Sequence, residues 1–180
     1  MKATRKFHRI LALFLVVPLL LTAITGMAYR FGRTWFGISK EAGNGILEFH
    51  DGKWLGDAFS IVYVIVTGLG LLALVGTGFH FIRRGRTPGR RLSLHWILGA
   101  LLMVPLAVTA ITGIAYKLGK ESFGYSEAGL KLVMNIHQGT WLGTEARAYY
   151  ILIIGAGLLG LASSGLRMAL RKKNSGDQRN

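Results

Sequence analysis

The segment TAITGMAYR, Thr22–Arg30, returns as TAITGIAYK, Thr109–Lys117, and that recurrence decides the fold. Sliding the chain on itself by 87 positions also brings Pro18 onto Pro105, Gly52 onto Gly139, Trp54 onto Trp141 and Gly56 onto Gly143. Tyr63 falls on Tyr150, Gly68 on Gly155 and Gly70 on Gly157. Each copy carries two apolar runs: Ile10 to Tyr29 and Phe59 to Ile82 in the first, Leu94 to Tyr116 and Ala148 to Leu170 in the second. Every run is near the roughly twenty residues that a spanning helix needs. The expected fold is therefore all-α, an integral membrane four-helix bundle made of two tandem helical hairpins, 1–86 and 87–173. A polar tail, 174–180, is expected to be disordered. Two spans per copy bring each copy back to the same side, so the hairpins are expected to be parallel repeats about a pseudo-twofold axis along the membrane normal.

Composition agrees with a bilayer as the solvent: 51% of the 180 residues are apolar and only 17% are charged. The formal charge of +14 would suit nucleic acid if it formed a surface stripe, but the basic residues sit instead at the ends of the apolar runs. No nucleic-acid partner is expected. The segment up to Arg9, the connection Arg83 to Arg91 and the tail from Arg167 hold most of the Lys and Arg and one acid, Asp177. The other two connections, Arg30 to Asp57 and Lys117 to Arg147, are nearly charge-balanced. By the positive-inside rule both termini face the cytoplasm. Lys2 to Arg9 followed by LALFLVVPLLL has the look of a signal peptide, yet the same segment recurs mid-chain, where no signal peptide can be.

With no cysteine in the chain, disulfides, thiolate clusters and thiol nucleophiles are excluded, and any cofactor must be held by nitrogen or oxygen. The five histidines then become informative. The offset maps His8 onto His95 and His50 onto His137, while His80 falls on Arg167. One pair opens the first and third spans at the cytoplasmic face, and the other precedes the second and fourth at the outer face. About twenty residues separate the two levels, some 30 Å along a helix, so two separate sites are expected. Two imidazoles converging on a pseudo-twofold axis suit a planar group with one nitrogen on each side of a central iron, as in bis-histidine haem. Interfacial histidines also serve plain hydrogen-bonding roles, and His80, beside the basic connection, could do so or could replace one of the inner pair. Zinc or copper is the metal rival, but Glu48 and Asp51 near His50 are replaced by Asn135 and Gln138 in the second copy. Gly68, Gly70, Gly76 and Gly78, with Gly155, Gly157 and Gly165, leave room for a macrocycle or for close helix contact. Phe7, Trp54, Trp96 and Trp141 flank the histidines as ring-stacking or interface-anchoring residues.

The segments RKFHRILALFLVVPLLLTAITG and FHDGKWLGDAFSIVYVIVTGLGLLALVGTG, repeated as LHWILGALLMVPLAVTAITG and IHQGTWLGTEARAYYILIIGAGLLGLASSG, resemble the membrane helices of PepSY-associated transmembrane proteins. The motifs are an inner histidine before an apolar run ending in Thr-Gly, and an outer His-x-Gly-x-x-x-Gly before a glycine-rich span. The resemblance implies kinship with siderophore reductases of the bacterial inner membrane, which carry haem b in such a bundle. It implies two haems b with His8, His95, His50 and His137 as axial ligands. The electron donor would lie on the cytoplasmic side, and the outer acceptor would be a ferric chelate or a periplasmic carrier. Arg9, Arg83 and Arg30 would act on the propionates. Larger relatives place soluble PepSY domains in the outer connections, which here are about thirty residues long and leave no room for one. The expected function is a minimal transmembrane electron conduit, against a rival reading as a haem-free accessory subunit or metal transporter. No acid/base dyad, nucleophile triad or phosphate loop is visible.

Overall fold

The computed structural model describes residues 2–84 and 93–177, apart from the side chains of residue 144 and of 171–177. Within these residues the chain is all-helical, with six α-helices and no strand. Helix α1 spans Lys2–Trp35, α2 Lys40–Asp51, α3 Asp57–Arg84, α4 Leu94–Glu121, α5 Glu127–His137 and α6 Thr144–Asp177. Four of them, α1, α3, α4 and α6, are long and apolar enough to cross a membrane. Much of the basic connection from Arg83 to Arg91, the boundary expected at 86/87 and the last residues of the tail lie outside the described residues.

The four long helices form a ring in which α1 packs on α3 and α6, and α4 packs on the same two. Among the described residues α1 and α4 make no close backbone contact, so they stand on a diagonal. Burial follows helical periodicity. Leu15, Leu19 and Ala23 on α1 and Leu102, Leu106 and Ala110 on α4 point inward and are at most 9% exposed. Phe14 and Leu101, one residue earlier on each helix, are 70% and 71% exposed and present an apolar exterior suited to lipid. Leu15, Leu19, Leu71, Leu102, Leu106, Ala110 and Ile154 join in one apolar core across the middle of the bundle.

The glycine-rich stretches of α3 and α6 serve helix contact at five positions, Gly160 against Leu98 among them. A Cβ built on Gly68 would lie 2.7 Å from Ile114, and one on Gly155 would lie 2.6 Å from Met27. Gly70 and Gly157 are filled in the same way by Leu15 and Leu102. A Cβ on Gly76 or Gly78 would meet nothing within 4 Å.

The outer connections are more ordered than the apolar runs suggest, because each contains a short helix. The Ser39 side chain caps α2 by accepting from the amide of Ala42, and Ser126 caps α5 by accepting from that of Gly129. Glu41 and Glu127 add favourable charge in the first turns. A glycine with left-handed backbone follows each helix, Gly52 as the cap of α2 at φ 78° and Gly139 just past the Gln138 cap of α5 at φ 65°. A side chain there would also collide with the ring of Tyr63 or Tyr150, so the glycine of each His-x-Gly motif both stops the helix and presses it onto the bundle.

Candidate functional site: two histidine pairs

Four of the five histidines meet in two pairs. The rings of His8 on α1 and His95 on α4 have centroids 6.4 Å apart at an interplanar angle of 90°. The rings of His50 on α2 and His137 on α5 lie 6.5 Å apart at 78°. The inner pair reaches across the bundle from the diagonal helices α1 and α4, and the outer pair from α2 and α5, which pack on those same two helices.

In all four rings Nδ1 is already engaged. His50 Nδ1 lies 2.9 Å from the carbonyl oxygen of Thr22, and His137 Nδ1 lies 3.1 Å from that of Thr109. A carbonyl can only accept, so these two rings carry their proton on Nδ1 and leave the Nε2 lone pair free. At the inner end His8 Nδ1 lies 2.6 Å from the Thr77 hydroxyl. His95 Nδ1 lies 3.0 Å from the Ser164 hydroxyl and 3.2 Å from the Leu161 carbonyl. Both hydroxyls donate to carbonyls of their own helix, Thr77 to Ala73 and Ser164 to Gly160, which turns their lone pairs toward the imidazoles.

The carbonyl that holds His50 is placed by a hydrogen-bond network between α1 and α3. The Tyr63 hydroxyl donates to the Pro18 carbonyl at 3.1 Å and meets the Thr22 hydroxyl at 2.9 Å, tying α3 to the turn that carries the His50 acceptor. Gly26 and Gly113, four residues beyond the acceptors, make the space: a Cβ on them would come within 3.0 Å of His50 Cε1 and 3.3 Å of His137 Cε1. Gly165 serves His95 likewise, at 3.3 Å. Burial lowers the basicity of His50. It carries His137 down to about 4, with the neighbouring His50 ring adding to the effect and the bond to Thr109 opposing it. Both rings are therefore neutral at neutral pH and able to ligate.

The vertical spacing is shorter than the sequence suggests. Short helices α2 and α5 fold back, so the outer rings hang beside Thr22 and Thr109, fourteen residues along α1 and α4 from His8 and His95. That is about 21 Å of helix rather than 30 Å. The leucine-rich core, centred on Leu15, Leu19, Leu102 and Leu106, fills the interval.

His80 stands outside both pairs. Its ring lies 6.0 Å from that of Phe81, and it lines a shallow cavity with Gly76, Phe79, Arg83 and Arg84. Phe81 in turn stands edge-on to His8 at 5.7 Å. Phe7, Trp54 and Trp141 are at least half exposed, and Trp54 stacks on Phe49 rather than on a histidine.

Two buried cations also flank the outer pair, and only one of them was singled out from sequence. Lys117, 4% exposed, is bonded to Asp51 at 3.2 Å and Glu121 at 2.8 Å. Arg30, 5% exposed, donates to the Gln138 side-chain oxygen at 2.7 Å. Asp51 and Gln138 directly follow the two histidines. The signal for Lys117 was its place opposite Arg30 in the repeated motif. Among the described residues no three His, Asp or Glu side chains gather as a metal site, so each pair offers two nitrogen ligands and no more. The chain matches no protein-family model, no curated protein and no solved structure.

Proposed function

We propose that this chain is a membrane dihaem b-type cytochrome built from two parallel hairpin repeats at an offset of 87, a minimal relative of the PepSY-associated membrane proteins. The observation that carries the reading is the pair geometry. Two metal–imidazole bonds of about 2.0–2.1 Å each, plus the half-width of each ring, separate the centroids of a bis-imidazole centre by a little over about 6 Å. Both pairs have that spacing, 6.4 and 6.5 Å. With Nδ1 engaged, Nε2 is the nitrogen left for iron, the second-sphere pattern of metal-bound histidine. Zinc asks for three or four protein ligands, which neither pair offers.

His8 and His95 would hold one haem b, His50 and His137 the other. When bound, haem would supply a one-electron iron couple, with one imidazole of each pair available on either side of it. The chain contributes the carbonyls and hydroxyls that fix the rings, and the leucines between the levels keep water out. The overall process is transfer of one electron from a reductant at the cytoplasmic face to an acceptor beyond the membrane, such as a ferric chelate reduced to the ferrous state. The charge pattern supports cytoplasmic termini and a bacterial inner-membrane setting.

A visible spectrum of the purified protein tests the cofactor: reduced-minus-oxidised b-type bands are expected, and a colourless preparation would end the reading. Cysteines introduced at Asn44 and Ser126 should react with an impermeant reagent in intact cells while one in the tail stays shielded. The opposite pattern would overturn the orientation. In proteoliposomes with reductant trapped inside, an external ferric acceptor should be reduced by the parent chain and not by the variant lacking His50 and His137. Equal reduction by both would refute the electron path.

A further inference from the structure

The two flanks of the outer histidine pair carry opposite electrostatic bookkeeping. On one, Lys117 is met by Asp51 and Glu121 and is more than neutralised. On the other, Arg30 is equally buried but meets an amide, and its nearest charged influence is another cation, Arg147 at the start of α6. The Nε atoms of both arginines are buried with no hydrogen-bond partner. Among the described residues no carboxylate lies within ion-pair distance of either one. Arginine cannot relieve burial by losing its proton, so buried Arg30 beside partly buried Arg147 forms a cationic pair that an anion would complement. Their planar donor forks match a carboxylate. Arg30 lies one helical turn beyond Gly26, whose missing side chain makes room for the His50 ring, so the cationic flank stands one turn from the outer imidazole.

We propose that Arg30 and Arg147 form a carboxylate site that takes a propionate of the outer haem and thereby seats it in one orientation about the pseudo-twofold axis. This rests on the haem reading above and goes beyond it in two ways. It assigns Arg147, which stands where the first repeat has Ser60, and it makes the outer site directional although its axial ligands are symmetric. Ser60, fully buried, only donates to the Asp51 carbonyl at 2.7 Å. The Lys117 flank, closed by its own acids, has no cationic capacity left for a second carboxylate.

The test uses the purified full-length holoprotein and measures transfer of haem to excess apomyoglobin, taking as the outer haem the kinetic phase that is missing from His50→Ala. Arg30→Gln and Arg147→Gln should keep two haems per chain but release the outer one at least about tenfold faster, the worth of one charge-assisted hydrogen bond. The inner phase should be unchanged, which also reports that the variants fold. Exposed Lys131→Gln, on the helix that carries His137, should leave the outer phase untouched. A second arm needs no substitution: the parent chain refilled with haem dimethyl ester, whose carboxylates are blocked, should lose its outer ester as fast as the double variant loses haem. Equal release of haem and ester from the parent chain would overturn the proposal. So would arginine variants that lose bound phospholipid or inorganic phosphate while haem release stays the same, because the anion would then be a headgroup or a free ion. A parent chain without haem defeats the underlying reading instead, and is told apart because no release phase exists to measure.

Discussion

The outer and inner histidine pairs differ at the atom that orients an imidazole. Outer rings give their Nδ1 proton to main-chain carbonyls, Thr22 and Thr109, whereas His8 at the inner end leans on the Thr77 hydroxyl alone and His95 on the Ser164 hydroxyl beside the Leu161 carbonyl. A carbonyl cannot be removed by substituting its own side chain, but a hydroxyl can. The outer pair is thus fixed by the course of α1 and α4, while the inner pair depends on a replaceable hydroxyl of α3 at His8 and on a hydroxyl and a carbonyl of α6 together at His95. The histidines at the outer end ride on short capped helices and so need the backbone to hold them. Those at the inner end belong to the spanning helices and arrive already positioned.

The largest effects come from the ligands themselves. His50→Ala or His137→Ala should reduce the haem content from two to one per chain, and His8→Ala or His95→Ala should do the same at the other level. His80→Ala should leave both, since its ring faces Phe81 and the basic end of α3. Pyridine haemochrome counts decide each case. Loss of haem in His80→Ala with retention in His8→Ala would reassign the inner ligand.

A second comparison uses the glycines. Gly165→Val should displace the His95 ring, because even a Cβ there comes within 3.3 Å of its Cε1, and the inner haem should bind at least about tenfold more weakly. Gly78→Val, where a Cβ would meet nothing within 4 Å, should leave both haems in place. Similar loss in both variants would mean that the glycines act through helix flexibility and not through ring clearance.

The smallest and sharpest effect separates hydroxyl from carbonyl. Thr77→Val removes the hydroxyl on His8 and should weaken inner haem retention by about tenfold, the usual cost of a lost second-sphere partner. Thr112→Val removes a hydroxyl 3.1 Å from His137 Nδ1, yet the Thr109 carbonyl remains at the same distance. Its effect should stay within about threefold. Haem-transfer rates of the two variants, measured side by side, test whether the ends are built as differently as the geometry indicates.

The long helices, the pairing partners and the separation into two levels were legible because each rests on a strong local pattern: unbroken apolar runs, and histidines at matching positions of a recurring motif. The helices α2 and α5 were not, since a short amphipathic segment among polar residues carries little periodic signal. Its markers were the capping serines Ser39 and Ser126 and the left-handed Gly52 and Gly139, which mean little until both ends are seen together. That omission also stretched the expected spacing between levels, because the fold-back of α2 and α5 lowers His50 and His137 toward the core. The uses of Gly68 and Gly70 were ambiguous for another reason. Whether a missing side chain admits a ligand or a neighbouring leucine depends on the partner helix, which one stretch of sequence does not contain.

The central claim is that each histidine pair closes on its own iron. The most direct measurement is haem content together with the low-spin electron paramagnetic resonance spectrum of the oxidised full-length chain, compared with His8→Ala and His50→Ala. The account predicts two haems per chain, both six-coordinate and low-spin, and one different low-spin signal missing from each variant. A chain without haem, or a single signal that survives in both variants, would contradict it.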